Sequence, residues 1–245
     1  MRKITTIFLL VLAIDLAFAA GRAHAKPFLP DFSAAAFTPG APIDNPYFPL
    51  LDSDTRVFVG QTERFELTNL GSGPIILGVQ TTTRRDRAFE DDLLVEDTFD
   101  HYAQDTAGNV WYFGEDVTNY SYDGDGNLIT TNNASAWKAG VNGALPGFAM
   151  PADPTVGFNY YQEFASHDGA LDQGQTFAAG IPVSIGMGNF TNVLQVLETT
   201  ELDPDDREFK YYAQGHGLIM AEEGLDVNLK EPELTLELTQ VVPGQ

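Results

Sequence analysis

From Thr55 to the C-terminus the chain is a succession of short runs rich in Val, Ile, Thr, Phe and Tyr, separated by breaks of Gly, Asp and Asn. TRVFVG, TERFELTNL, IILGVQTTTRRDRAF, LLVEDTFDHYAQ, NVWYFGEDVTNYSY and NLITTNNASAW follow one another with no room for intervening helices. FNYYQEFAS, IPVSI, FTNVLQVLETTEL, REFKYYAQ, GLIMAEE and ELTLELTQVV continue the pattern. β-branched and aromatic residues suit a pleated, half-buried surface, and turn residues at such intervals suit hairpins. The sequence therefore predicts a mainly β protein of roughly ten to twelve strands, a single antiparallel β-barrel or curved-sheet domain. Two segments are expected to depart from the pattern. AGVNGALPGFAMPADPTVG, with prolines at 146, 151 and 154, reads as a loop, and a short helical turn is expected around Asp168 to Gln175.

The N-terminus organises the rest. Arg2 and Lys3 precede an apolar run from Ile4 to Ala20, and Ala23-His24-Ala25 supplies small residues at a cleavage position. This reads as a secretory signal peptide over residues 1–25, cut between Ala25 and Lys26, giving a secreted or periplasmic protein with no membrane anchor. Residues 26–46, rich in proline, read as an extended arm with its aromatics on the surface of a domain spanning 47–245. The chain has 13 Lys+Arg against 35 Asp+Glu; removing Arg2, Lys3, Arg22 and Asp15 leaves 10 against 34, a formal charge of −24. Such a field repels phosphate backbones, so no nucleic-acid partner is expected. No cysteine is present, which removes disulfides, thiolate catalysis and Cys-based metal sites. Nothing in the sequence sets the oligomeric state.

The stretch YDGDGNLI poses the sharpest local question. YAQDTAGNVWYF and YSYDGDGNLITT share Asp-x-x-Gly-Asn between strands, through Asp105, Gly108, Asn109 and Asp123, Gly126, Asn127. This is a hairpin turn with a mechanism: the Asp accepts bonds from following amides and the Gly takes positive φ. An EF-hand reading fails, because counting from Asp123 puts Leu128 at position six and Ala134 at position twelve. A looser calcium site on Asp123, Asp125 and Asn127 stays open beside the turn reading.

Few residues advertise chemistry. His101, His167 and His216 are scattered, with no helical His pair, no G-x-S-x-G elbow and no P-loop. The acidic groups Glu115-Asp116, Glu90-Asp91-Asp92 and Asp203 with Asp205-Asp206 read as solvated turns at sheet ends. Aromatics occupy consecutive positions at Trp111-Tyr112-Phe113, Tyr160-Tyr161 and Tyr211-Tyr212, so neither face of those strands is fully solvated. Either the arm or the insert covers one face, or aromatics line a cavity. On the cavity reading Trp111 is the principal contact, with His101 on its side, Tyr212 on a neighbouring strand and Tyr102 facing away.

IDNPYFPLL, LVEDTFDHYAQDTAGNVWYFGEDV, LPGFAMPADPTVG and FKYYAQGHGLIM together resemble a family of secreted bacterial proteins of unknown function. The YAQD-x-x-GNVWYFGED block is the most specific part. The resemblance implies export and a compact β-rich domain, and assigns no catalytic residues; lipocalin-type barrels are similar by analogy only. The functional expectation is a non-catalytic exported protein binding a small apolar or aromatic ligand. The alternative is an extracytoplasmic hydrolase or lyase acting on a polysaccharide-like substrate through paired carboxylates.

Overall fold

A computed structural model describes residues 26–244; the expected signal segment and cleavage position lie outside the described residues. Fifteen strands form one antiparallel sheet. They are β1 (Thr55–Gly60), β2 (Glu63–Ile76), β3 (Val79–Glu90), β4 (Leu93–Gln104), β5 (Val110–Tyr122), β6 (Leu128–Asn132), β7 (Trp137–Lys138) and β8 (Leu145–Met150). Then come β9 (Asn159–Tyr161), β10 (Glu163–Phe164), β11 (Asp172–Ile185), β12 (Gly188–Thr200), β13 (Arg207–Ala213), β14 (Gly217–Glu223) and β15 (Leu234–Val242).

The path through the sheet is β10-β8-β5-β4-β3-β2-β1-β15-β14-β13-β12-β11-β9, with β6 and β7 pairing β5 beside it. Its two ends, β9 and β10, are separated in sequence by Gln162 alone. The Gln162 amide donates to the Asp172 carbonyl at 2.8 Å, so the sheet curls into a nearly closed barrel and leaves almost no free edge. Consecutive strands pair from β1 to β5 and from β11 to β15, while β8, β9 and β10 pair out of chain order at the seam. β1 pairs with β15, which joins the first meander to the last.

The sequence undercounted strands because β7, β9 and β10 are only two or three residues long. The insert read as a loop contains β8, which pairs with β5 through Trp111↔Phe148 and Tyr112↔Gly147. Its prolines did not prevent this: Pro146 sits at the strand's second residue and Pro151 just beyond its end. The region around Asp168 to Gln175 holds no helical turn. Residues 165–170 close a hydrogen-bonded turn, after which β11 begins at Asp172. The one helical piece among the described residues is a 3-10 turn, Phe32–Ala34, capped by Asp31.

Both Asp-x-x-Gly-Asn segments are the hairpin turns expected. Gly108 and Gly126 have φ of 94° and 80°, and each turn closes through bonds such as Gly108 N–H to the Asp105 carbonyl at 3.0 Å. Their surroundings differ. Asp105 is buried, and its carboxylate accepts from the amides of Ala107 and Asn109, from Asn109 Nδ2, and from Trp111 Nε1 at 2.8 Å. Asp123 makes the equivalent bonds to Asp125 and Asn127 at an exposed tip. Asp105→Ala is therefore expected to cost about 2–3 kcal/mol, because it strands a buried indole N–H and two turn amides. Asp123→Ala should cost far less, since water replaces its bonds. Urea unfolding of the two variants checks this; equal losses would contradict it.

The arm is more deeply built in than a surface strap. Phe28 pairs with Tyr160 of β9, Ile43 is buried, and Asn45 donates to the Gly108 and Pro151 carbonyls at 3.0 and 3.2 Å. Phe32 and Phe37 pack on Trp111 and Phe113 with centroids 5.7–6.0 Å apart. This is why one side of β5 can be fully aromatic without facing water.

Candidate functional site

The opposite side of β5 faces the barrel interior, where a cavity of about 420 Å³ lies. Strand alternation selects what reaches it: Arg84 and Asp86 from β3, Glu96, Thr98, Asp100 and Tyr102 from β4, Glu208, Lys210 and Tyr212 from β13. β5 breaks the alternation. Asp100 pairs with Glu115 and Tyr102 with Tyr112, so Phe113 and Gly114 together oppose His101 in a bulge. The bulge turns both Tyr112 and Glu115 inward. Gly114 makes it possible: its φ is 132°, and a Cβ there would lie 2.4 Å from the Trp137 carbonyl oxygen.

The wall has two chemistries. Phe58, Phe65, Leu67 and Leu236 of β1, β2 and β15 form an apolar strip. Much of the remainder is charged: among the described residues ten Asp or Glu side chains line the cavity, with only Arg84 and Lys210 of opposite sign. Arg84 donates to Asp100 at 3.0 Å and to the Tyr102 hydroxyl at 2.9 Å. Lys210 sits between Glu198 at 2.7 Å and Glu208 at 3.0 Å. Burial works against both cations, yet these anionic neighbours raise Arg84 and Lys210 above their ordinary ranges, so both stay charged. Seven acids (Asp86, Glu96, Glu115, Glu163, Asp172, Asp206 and Glu223) make no ion pair with a described residue.

Burial raises six of these acids, and Glu208 with them. It pushes Asp86 up to about 7 despite Arg84. It pushes Glu115 and Glu208 up to about 8, with Asp100 adding to the first and Lys210 opposing the second. Glu163 is raised well above the carboxylate range by burial and then by Glu115, although Trp137 Nε1 donates to it at 3.1 Å. Glu96, Asp172 and Glu223 are raised by burial as well. The Tyr112 hydroxyl lies 2.8 Å from Asp100 and 3.0 Å from Glu115. One phenolic proton cannot serve two ionised carboxylates, so a protonated Glu115 completes that network.

Of the residues singled out by sequence, Tyr212 lines the cavity and Trp111 and His101 do not. Trp111 is packed between arm and insert, against Phe32, Phe37 and Phe148, with its N–H held by Asp105. His101 shares that outer side, as expected, but Nδ1 meets Thr83 at 3.0 Å and Nε2 meets Asp116 at 3.1 Å. Tyr102, expected to face away from a site, stacks on Tyr112 in the cavity at 4.8 Å. The side of the sheet was thus inverted: the covering arm made the Trp111 face core and left the Tyr102 face as the lumen. Glu115, read as a solvated turn acid, belongs to the cavity wall; Asp206 is exposed in the β12–β13 turn, as read, and borders the cavity from there.

The calcium candidate is a separate place. Asp123, Asp125 and Asn127 lie at the exposed β5–β6 tip, where Asp123 accepts four hydrogen bonds from its own loop and is lowered in pKa by the Asn127 amide and side chain. An ion there would have to displace Asn127 Nδ2. Among the described residues, no three His, Asp or Glu gather closely enough to hold a metal.

No family model matches the chain, and no curated protein matches it. A solved structure of a candidate exported protein with a YmcC-like fold from Bacteroides fragilis is similar in outline. It aligns over 84% of this chain and 99% of its own, at 11% identity and a TM-score of 0.39. That degree of likeness carries no argument about the site. No helix among the described residues is long and apolar enough to cross a membrane.

Proposed function

We propose that this chain is an exported, non-catalytic binding protein, cleaved after Ala25 and secreted or periplasmic, that holds a small molecule inside its barrel. The supporting observation is the cavity itself, about 420 Å³, within the range of small-molecule sites, in a barrel the core could otherwise have filled. Its wall is unlike the apolar or aromatic pocket the sequence suggests. Ten carboxyl groups favour a polar or charged ligand over a hydrocarbon. Native mass spectrometry of the protein purified from its own host tests the reading. The expected result is a non-covalent adduct that disappears in Ala221→Phe, whose ring would occupy the lumen. A bare polypeptide mass in both forms overturns it.

One observation favours the second reading, a hydrolase or lyase acting on a polysaccharide-like substrate. Glu115 and Glu163 line one cavity, both raised in pKa by burial, and Glu115 adds to the rise of Glu163; paired carboxyls with displaced pKa values are the acid/base arrangement of such enzymes. Saccharide cleavage by the wild type that vanishes in Glu163→Gln would select this reading over the first.

A further inference from the structure

The apolar strip in the cavity is bordered by acids on both sides. On β3, Asp86 lies in register with Leu67 of β2. On β14, Glu223 lies in register with Leu234 of β15. Between them run β2, β1 and β15, carrying Leu67, Phe58 and Leu236 into the lumen. Four strand spacings of ~4.8 Å separate β3 from β14, about 19 Å along the wall, and less across the lumen once both side chains reach inward. The lumen thus presents a hydrocarbon strip with a carboxyl group at each margin.

One further observation points to an occupant. Asp86 Oδ1 is buried without a hydrogen-bond partner among the described residues, while Arg84 spends its Nη2 on Asp100 and Tyr102 and leaves its Nε unpartnered. Tyr212, only 5% exposed, lines the same cavity. Buried polar atoms in folded proteins find partners, and a ligand carrying N–H groups supplies one to the Asp86 carboxylate. The acids are spread round the wall and not gathered in a metal-holding set, so the matching positive charge is distributed too.

We propose that the cavity takes a linear di- or polyammonium compound, its methylene chain along Leu67, Phe58 and Leu236 and its ammonium ends at Asp86 and Glu223. The inference rests on the reading of the cavity as a ligand site and names the ligand's chemistry. Lysine-like stems behave this way in proteins, burying methylenes while the charged head finds an acceptor. Tyr102 and Tyr112 offer ring faces to a further ammonium group, as Tyr102 does to Arg84 at 5.1 Å.

Isothermal titration with three six-carbon probes tests it at about 150 mM salt, where exposed charges are largely screened. The probes are hexane-1,6-diamine, hexane-1,6-diol and adipate. The expected result is saturable 1:1 binding of the diamine alone, weakened at least tenfold in Asp86→Asn/Glu223→Gln and unchanged in the surface variant Asp123→Asn. Both substitutions at the wall keep side-chain shape, and circular dichroism confirms that the variant is folded. Should that variant unfold, Ala221→Phe, which adds a ring to the lumen opposite Lys210 without replacing a charged residue, must abolish the same heat. Binding of the diol or adipate without the diamine overturns the cation inference and leaves the cavity reading standing. Silence from all three probes overturns the inference, and the adduct measurement on the host protein then decides the cavity reading separately. Diamine binding indifferent to both wall variants marks general attraction to an acidic surface and also overturns it.

Discussion

Arg84→Met should destabilise the protein by about 3–5 kcal/mol at neutral pH, the characteristic loss when one partner of a buried ion pair is removed. Arg84 sits on the lumen side of β3 and lines the cavity, with 17% of its side chain reached by solvent. Among the described residues its guanidinium is the only basic group paired with Asp100, at 3.0 Å. Asp100 is only 4% exposed and is already crowded by the Tyr112 hydroxyl at 2.8 Å and, beyond it, Glu115. Methionine preserves much of the stem's volume, so packing changes little and the loss reports charge. Asp86, which Arg84 also helps to hold in its anionic form, would lose that support. The decisive measurement is a double-mutant cycle. Asp100→Asn in the Arg84→Met background should recover at least half of the loss, because a neutral amide needs no counter-charge. Strictly additive losses would show that the pair is not what holds this wall together.

The barrel was legible because its physics is local. Alternating β-branched and aromatic residues specify half-buried strands, and Asp-x-x-Gly-Asn specifies hairpins whatever lies around them. The lumen was not legible for two reasons. The identity of the inner face depends on what covers the outer one, and that is decided by Phe32 and Phe37, seventy or more residues from the strand they cover. The parity of Glu115 depends on a bulge that exists because Gly114 lets the backbone of β7 come close. One signal did go unread. Arg84-Arg85-Asp86-Arg87 lies within a strand, so successive charges must alternate between faces, and they cannot all meet bulk solvent in a barrel. Arg85 and Arg87 pair outside with Asp97 and Glu66, while Arg84 and Asp86 go inside. Four consecutive charges in a strand of a closed sheet thus mark a polar lumen. The i, i+2 spacings Glu96-x-Thr98-x-Asp100-x-Tyr102 and Glu208-x-Lys210-x-Tyr212 repeat the message.

The same buried acids set an unusual pH dependence: the protein should be more stable near pH 5 than near pH 8.5. Where native carboxylates are paired, their pKa values are lowered and stability is lost on acidification. Here the large shifts run the other way. Asp86 lies at about 7 and Glu115 and Glu208 at about 8, all raised chiefly by burial, with Glu163, Glu96, Asp172 and Glu223 shifted in the same direction. Between roughly pH 4 and pH 8 the folded chain therefore holds protons that the unfolded chain has released. Stability from these groups is complete below the unfolded carboxyl pKa of about 4 and is lost as pH rises through the folded values. Asp123, Asp168 and Asp226 act oppositely, since hydrogen bonds lower them. Their contribution falls away only below about pH 4, which places the optimum at about pH 4–5. Arg84 and Lys210 are raised, so their contribution is fully present across the whole window. Each displaced unit corresponds to about 1.4 kcal/mol, and several groups titrate together, so the thermal midpoint should fall by about 10 °C from pH 5 to pH 8.5. Calorimetry across that range measures it, and Glu115→Gln/Glu208→Gln should flatten the slope by removing two of the titrating groups. A midpoint that rises with pH would mean that the lumen acids are ionised and solvated at neutrality. A diammonium ligand that forces these carboxyls to ionise must release their protons on binding. Its affinity should therefore climb over the same pH interval in which the empty barrel weakens.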